Sequence, residues 1–219
     1  MEAEKGRREM KKFELTTETI TNAVGKKLFR IKALVEFENV KAGELGGYVE
    51  KEGNVSQDDN AWVSGDAWVY GDAKVYGGAR LSGNARVSGN AKVSGGVRVS
   101  GNAEVYGNAW ASGNARVSGN ARLSGNTEVS GNARLSGNAR LSGNTDYALV
   151  QGFGTEFRCT TFYRDKNKKI MVNCGCFHGD LEEFRKQVKE TRSGKIAKEY
   201  LMIADLMEYH FASEDSGDE

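Results

Sequence analysis

The sequence predicts a mainly β protein: a triangular coil of short strands with 18 residues per turn, an N-terminal β cap and a small C-terminal α+β module. Three observations lead to this: an unbroken six-residue repeat, 28 glycines among 219 residues, and no proline. Regularly spaced glycine indicates a repeated turn, whereas proline would remove donors from a strand ladder. With 31 Lys and Arg against 30 Asp and Glu, the near-neutral total argues against a general polyanion binder but still permits a local patch.

The repeat has the consensus Gly-Asn-Ala-x-Val-Ser and fills residues 59–142 with 14 hexads. Its third and fifth positions lie on one side of an extended strand, so Ala and Val point inward and x points to solvent. Gly-Asn supplies the bend, because both residues tolerate a positive φ. Three such sides close one coil, and coils stack about 4.8 Å apart. Since the phase continues loosely on both sides, we predict a repeat domain over residues 47–148.

These hexads resemble those of hexapeptide-repeat proteins, which fold as left-handed parallel β-helices. A nearer resemblance is to uncharacterised phage and prophage proteins of this type. It rests on the opening RIKALVEFENVKAGELGGYVEKEGNVSQ (30–57) and the closing TTFYRDKNKKIMVNCGCFHGDLEEF (160–184). The resemblance implies the left-handed sense of the coil and, for a phage-encoded protein, a location in the host cell cytoplasm.

The first coil needs a cap, because the end of a solenoid exposes apolar surface. We predict an N-terminal tail and β cap over residues 1–46. Within it, alternating apolar residues indicate a strand over residues 28–37. They are Phe29, Ile31, Ala33, Val35 and Phe37.

Residues 149–212 are predicted to form a C-terminal module of a hairpin plus helices, followed by a solvated acidic tail at 213–219. A hairpin is expected around residues 165–168, between strands 159–163 and 169–174.

Two helices should complete the C-terminal module. Asp180 and Glu183 have the spacing of a capping box, and a turn at 193–194 precedes a helix that ends near Phe211. Its apolar stripe either packs on the hairpin or last coil, or forms a subunit interface. The stripe consists of Ile196, Tyr200, Ile203 and Met207.

An 18-residue turn stacks every third outward side chain into a row. The first row is Trp62, Arg80, Arg98, Arg116 and Arg134. The second is Trp68, Arg86, Glu104, Arg122 and Arg140, and the third is Lys74, Lys92, Trp110, Glu128 and Asp146. Residues 73–142 carry nine basic and two acidic residues, a local net charge of +7 (9 − 2).

The second row can partly neutralise itself through Glu104, whereas the first cannot. The arginines of both rows are either a solubilising ladder whose stems cover the sheet or a strip that docks an anionic surface. Arginine favours bidentate contacts to phosphate or carboxylate, so the anion is nucleic acid or an acidic protein.

Outward aromatic residues are a second candidate contact, since exposed large aromatics indicate a covered surface or a partner. We expect the N-terminal strand of the chain itself to cover those of the first regular coil. The candidates are Trp62, Trp68, Tyr70, Tyr76 and Trp110.

A metal site is a weaker candidate. Cys174, Cys176 and His178 alternate and could share a strand face, and a symmetric hairpin would place Cys159 opposite Cys174. Three thiolates and an imidazole form a permissible zinc shell, but C-x-C-x-H is not a usual zinc spacing and reduced cysteine is common in cores. We therefore expect structural thiols, with no metal or cofactor.

We expect the protein not to be an enzyme. Acyltransferases of similar scaffold use a catalytic His near the coils, whereas both histidines here, His178 and His210, lie outside the repeat. The hexads also contain no inserted loop that would frame a donor pocket.

The favoured hypothesis is a non-catalytic, phage-type binding protein, with counter-defence inhibition as one form of it. Its partner would be a host protein or protein–nucleic-acid complex with an acidic surface. The alternatives are a self-assembling structural protein, with a homo-oligomer formed through the C-terminal helix, and an acyltransferase-like enzyme. Three cysteines and the lack of a long apolar run predict a cytoplasmic location without a membrane partner.

Overall fold

The structure, a computed structural model, describes residues 11–212. Three N-terminal strands form an antiparallel cap, and the third also pairs in parallel with the coil. They are β1 (Phe13–Thr21), β2 (Lys27–Ala33) and β3 (Leu45–Val49). The cap therefore extends one wall of the coil by three strands.

The strand predicted over residues 28–37 is too long, because β2 ends at Ala33. A register shift between Arg30 and Lys32 breaks the expected alternation. As a result Leu28 is buried where Phe29 was expected, and Val35 and Phe37 follow the strand in an irregular segment.

Fourteen two-residue strands, one per hexad, build the coil. They are β4 (Trp62–Val63), β5 (Trp68–Val69), β6 (Lys74–Val75), β7 (Arg80–Leu81), β8 (Arg86–Val87), β9 (Lys92–Val93), β10 (Arg98–Val99), β11 (Glu104–Val105), β12 (Trp110–Ala111), β13 (Arg116–Val117), β14 (Arg122–Leu123), β15 (Glu128–Val129), β16 (Arg134–Leu135) and β17 (Arg140–Leu141).

Each wall of the coil is a parallel sheet whose neighbouring strands are 18 residues apart, as in β10, which pairs with β7 and β13. The third and fifth residues of the hexads fill the interior, with exposures of 0–2%. The predicted β-solenoid is thereby confirmed, with about five turns. The left-handed sense implied by the resemblance stays a prediction.

Glycine at the corners is required by both conformation and space. Gly119 has φ 68°, and a Cβ there would lie 2.9 Å from the backbone N and O of Gly137 in the next coil. At Gly119 the stacking distance between coils is therefore too short for a side chain.

The C-terminal module is an antiparallel sheet covered by two helices. Its elements are β18 (Tyr147–Phe153), β19 (Arg158–Arg164), β20 (Ile170–Cys174), β21 (Phe177–Asp180), α1 (Leu181–Thr191) and α2 (Gly194–Phe211). The predicted capping box is confirmed: Glu183 N donates to Asp180 Oδ1 at 2.8 Å, and Asp180 N donates to Glu183 Oε2 at 2.9 Å.

The apolar stripe of α2 packs within the module. Tyr200, Ile203 and Met207 join one buried cluster with Phe162 of β19 and Phe184 of α1, and Ile196 packs against its edge. This confirms the first of the two expectations for the stripe, packing on the hairpin.

The hairpin register differs from the symmetric prediction by one residue. Thr160, not Cys159, lies opposite Cys174, because the loop contains an additional residue and Lys168 adopts φ 62°. Further on, a tight turn separates β20 from β21, and Gly175 at φ 62° begins it.

Among residues 11–212, no helix combines the length and the apolar character needed to cross a membrane. The acidic tail predicted at 213–219 lies outside the described residues, as do residues 1–10.

Candidate anion-binding groove

The first predicted row exists as a column of directly paired residues. We call Arg80, Arg98, Arg116 and Arg134 the arginine row. Each is in register with the next across the parallel sheet, and Trp62 stands at its N-terminal end. Since the pairing is direct, the four side chains leave the same wall one above another.

The middle of the arginine row is electrostatically uncompensated. Arg80 forms an ion pair with Glu38, and Arg134 Nη1 donates to the carbonyl oxygen of Gly175 at 3.1 Å. Within residues 11–212, Arg98 and Arg116 are exposed and have neither a salt bridge nor a side-chain hydrogen bond. Two adjacent guanidiniums are thus left to water or to a ligand.

The second row neutralises itself in part, as its sequence indicated. Glu104 lies 3.1 Å from Arg122 and 3.9 Å from Arg86, measured between charged atoms. Arg86 also stacks 4.6 Å above the ring centroid of Trp68. The second row therefore carries less uncompensated positive charge than the arginine row.

The C-terminal module is fixed over the last coil, beside the arginine row. Arg134 N donates to Thr161 Oγ1 at 3.0 Å, and Asn173 Nδ2 donates to the Arg134 carbonyl at 2.7 Å. These bonds satisfy backbone groups that a further coil would otherwise pair. The C-terminal module, which covers the last coil, therefore also forms a second wall beside the arginine row.

Between the two walls lies a groove of about 730 Å³. Its lining contains four arginines and no acidic residue. The lining residues are Gly96, Arg98, Asn114, Arg116, Asn132, Arg134, Gln151, Phe157, Arg158, Cys159, Gly175 and Cys176.

Two arginines from different elements converge at Gly175. Arg134 donates to its carbonyl oxygen, and a Cβ on Gly175 would lie only 2.6 Å from Arg158 Nη1. The turn that needs glycine for its φ thus also makes room for the Arg158 side chain.

Phe157 forms part of the groove rim and is the most unusual residue there. It lies in the turn between β18 and β19, is 67% exposed, and has φ 47°. A bulky residue seldom adopts this left-handed conformation, and such strain concentrates at functional sites. Sequence reasoning missed Gln151, Phe157 and Arg158, since only the folded hairpin brings them to the row.

The predicted aromatic candidates do not form one surface. Trp62 is 2% exposed and packs edge-on against Phe13 and Phe37 at centroid distances of 6.4 and 5.5 Å. The N-terminal segment therefore covers it, as expected, and Trp62 is not available to a partner. Trp68 and Tyr70 are half-buried, whereas Tyr76 and Trp110 are exposed, so the expected coverage of the first coil is wrong for Tyr76.

The thiols and His178 are not brought together as a metal site. Cys176 lies in the turn after β20, so it does not share a strand with Cys174, and Cys174 Sγ accepts from Thr160 Oγ1 at 3.1 Å. Among the described residues, no three His, Cys, Asp or Glu side chains form a group that could hold a metal ion. Burial raises the pKa of Cys159, which faces the groove as a neutral thiol.

His178 belongs instead to the contact between module and coil. Its Nε2 lies 3.1 Å from the hydroxyl of Tyr163, a buried residue that also contacts Ser136. Burial raises the pKa of Tyr163, so its hydroxyl stays protonated and available for these bonds.

Comparison with known proteins supports the architecture. Residues 79–96, the length of one coil, match the family model described as the YdcK beta solenoid repeat. No match was found among curated proteins. Together with the fold, the repeat match makes this protein a β-solenoid repeat protein.

Proposed function

We propose that this protein is a non-catalytic binding protein that holds an anionic segment of a macromolecule in the groove beside its arginine row. The observation that carries the proposal is the pair Arg98 and Arg116, exposed on one groove wall without a partner among residues 11–212. Bidentate carboxylate or phosphate contacts are the interactions that guanidinium groups favour.

The energetics agree with an anionic ligand. Unit charges 4 Å apart repel by about 1 kcal/mol in bulk water, and by several times more where a ligand or wall excludes water. An anion in the groove converts this repulsion into attraction for Arg98, Arg116, Arg134 and Arg158 together. Because strands and a docked hairpin hold the backbone of both walls, the cost of binding is confined to ordering the side chains.

The resemblance of the two ends of the chain to phage and prophage proteins supports the finer form of this proposal. In that form the protein acts in the host cell cytoplasm as a counter-defence inhibitor. Its partner is then a host protein or protein–nucleic-acid complex that presents an acidic surface.

Charge reversal tests the proposal on a heparin column, where the salt needed for elution reports anion affinity. We expect Arg98→Glu/Arg116→Glu to elute at much lower salt than the wild type. The control Lys92→Glu/Lys198→Glu has the same net charge and changes two exposed lysines away from the groove. Equal elution of the two variants would contradict a role for the row.

A second candidate function is self-assembly, because α2 presents an exposed apolar stripe on its outer side. Met202, Leu206 and Tyr209 are 61%, 58% and 82% exposed and are spaced four and three residues apart. Exposed apolar surface of this kind is a common feature of subunit contacts.

A further inference from the structure

We propose that the anion held in the groove is a single-stranded nucleic acid, with its phosphates on Arg98, Arg116 and Arg134 and one base stacked on Phe157. This inference rests on the proposed function and narrows its ligand to one chemical class. The groove offers both a cationic wall and an exposed aromatic ring, and single-strand binding sites combine these two features.

The aromatic ring is the observation that favours nucleic acid over an acidic protein. Carboxylates pair with the arginines but provide no π-face for the ring of Phe157. A nucleobase has a π-face that covers such a ring, and stacking of this kind tolerates any sequence. Phe157 lies in the hairpin turn with a strained φ of 47°, and its side chain is 67% exposed, so a base has access to its ring.

The rest of the lining fits a phosphodiester chain. Arg158 adds a fourth guanidinium from the same hairpin, next to Phe157 in the chain. Asn114, Asn132 and Gln151 supply amide donors and acceptors that can bond base edges or sugar hydroxyls. The lining contains no acidic residue, and Glu156, which lies outside it, compensates only Arg158, at 3.9 Å from its Nη2.

A single strand is favoured over a duplex because stacking on a protein side chain requires an exposed base face. In a duplex, the faces of the bases are covered by their neighbours. Unpaired segments splay their bases and let aromatic residues stack on them.

The test uses fluorescence anisotropy with three fluorescein-labelled probes: dT12, a 12-residue abasic phosphodiester, and poly-glutamate of similar charge. We expect the full-length protein to bind dT12 more tightly than the abasic chain, and both more tightly than poly-glutamate. We expect Phe157→Ala to weaken dT12 binding about tenfold and to leave abasic binding unchanged. Phe157→Trp should retain the preference for dT12, because it keeps a stacking surface.

Tyr76→Ala is the matched control, since Tyr76 is an exposed aromatic residue that does not line the groove. It should not change dT12 affinity. Equal affinity for dT12 and the abasic chain, or no effect of Phe157→Ala on dT12, would overturn the nucleic-acid inference. Tighter binding of poly-glutamate would assign the groove to an acidic protein. The proposed function itself fails if Arg98→Glu/Arg116→Glu binds every probe as the wild type does.

Discussion

Lys12 supplies the hydrogen bonds that a preceding coil would otherwise give to the first coil. Its Nζ donates to the carbonyl oxygens of Asp59 and Ala61 at 2.7 and 2.8 Å. Later carbonyls at the Ala61 position accept from a backbone N–H one coil earlier, as Ala79 O does from Trp62 N. The side chain of Lys12 thus supplies hydrogen-bond donors that the backbone of a preceding strand would otherwise provide.

We predict that Lys12→Met destabilises the protein by about 2 kcal/mol, because it leaves buried carbonyls without donors. Burial lowers the pKa of Lys12, against the opposing effect of Asp59. The unfolded chain therefore binds more protons above the lowered pKa, and the contribution of Lys12 to stability increases as pH rises towards 10.5. Urea unfolding of both proteins at pH 7 and pH 10 measures this, and a smaller difference at pH 10 would contradict it.

Asp180 fixes the start of α1. A backbone hydrogen bond from Glu183 lowers its pKa most, and the ion pair with Lys169 lowers it further. We predict that Asp180→Ala costs about 1 kcal/mol at pH 7. The lowered pKa means that the folded state favours the ionised carboxylate. The difference in stability between the wild type and Asp180→Ala should therefore become smaller as pH falls below 3.8. Chemical unfolding at pH 7 and pH 3 checks the trend, with Asp180→Asn as a variant that keeps the cap but not the charge.

At the scale of elements, the corners of the coil limit what the repeat tolerates. We predict that Gly119→Ala lowers stability by more than about 2 kcal/mol, since it combines a left-handed φ with a contact to the next coil's backbone. Gly143→Ala should be nearly neutral, because Gly143 has no positive φ and a Cβ there meets nothing closer than 4.0 Å. Similar melting temperatures for the two variants would show that the corners are not under this constraint.

The elements differ in how far the sequence determines them. Every hexad repeats the same inward and outward pattern, so the coil and its 18-residue register could be predicted from many concordant positions. The cap strand β1 and the end of β2 could not, because a single register shift in β2 changes which residues are buried. The predicted register of the β19–β20 hairpin was wrong for a similar reason, because one additional loop residue places Thr160 opposite Cys174.

At the scale of the whole molecule, the arginine row follows from the sequence, whereas the groove does not. The row needs only the coil period. The groove needs the docked module, whose position depends on contacts such as Thr161 to Arg134 and Asn173 to Arg134. The residues that line the groove lie between positions 96 and 176, and no local sequence pattern encodes that they meet.

Solution size tests the self-assembly alternative. If α2 forms a dimer, light scattering should give about twice the chain mass of 23.9 kDa, and Leu206→Glu should return it to one chain. Lys41→Glu is the control, since it adds negative charge at an exposed site between β2 and β3, in the N-terminal cap and away from α2. A single-chain mass at high protein concentration would exclude assembly through this face.

The salt dependence of anion binding tests the central claim most directly, since it counts the charges that contact the ligand. The ligand is the abasic 12-residue phosphodiester, which reports phosphate contacts without stacking. The slope of log K against log salt is negative, and each lost contact should reduce its magnitude by about 0.7. We predict that Arg98→Glu/Arg116→Glu reduces this slope by at least about 1.4, and that Lys92→Glu/Lys198→Glu leaves it close to the wild-type value. An unchanged slope in the arginine variant would contradict the account.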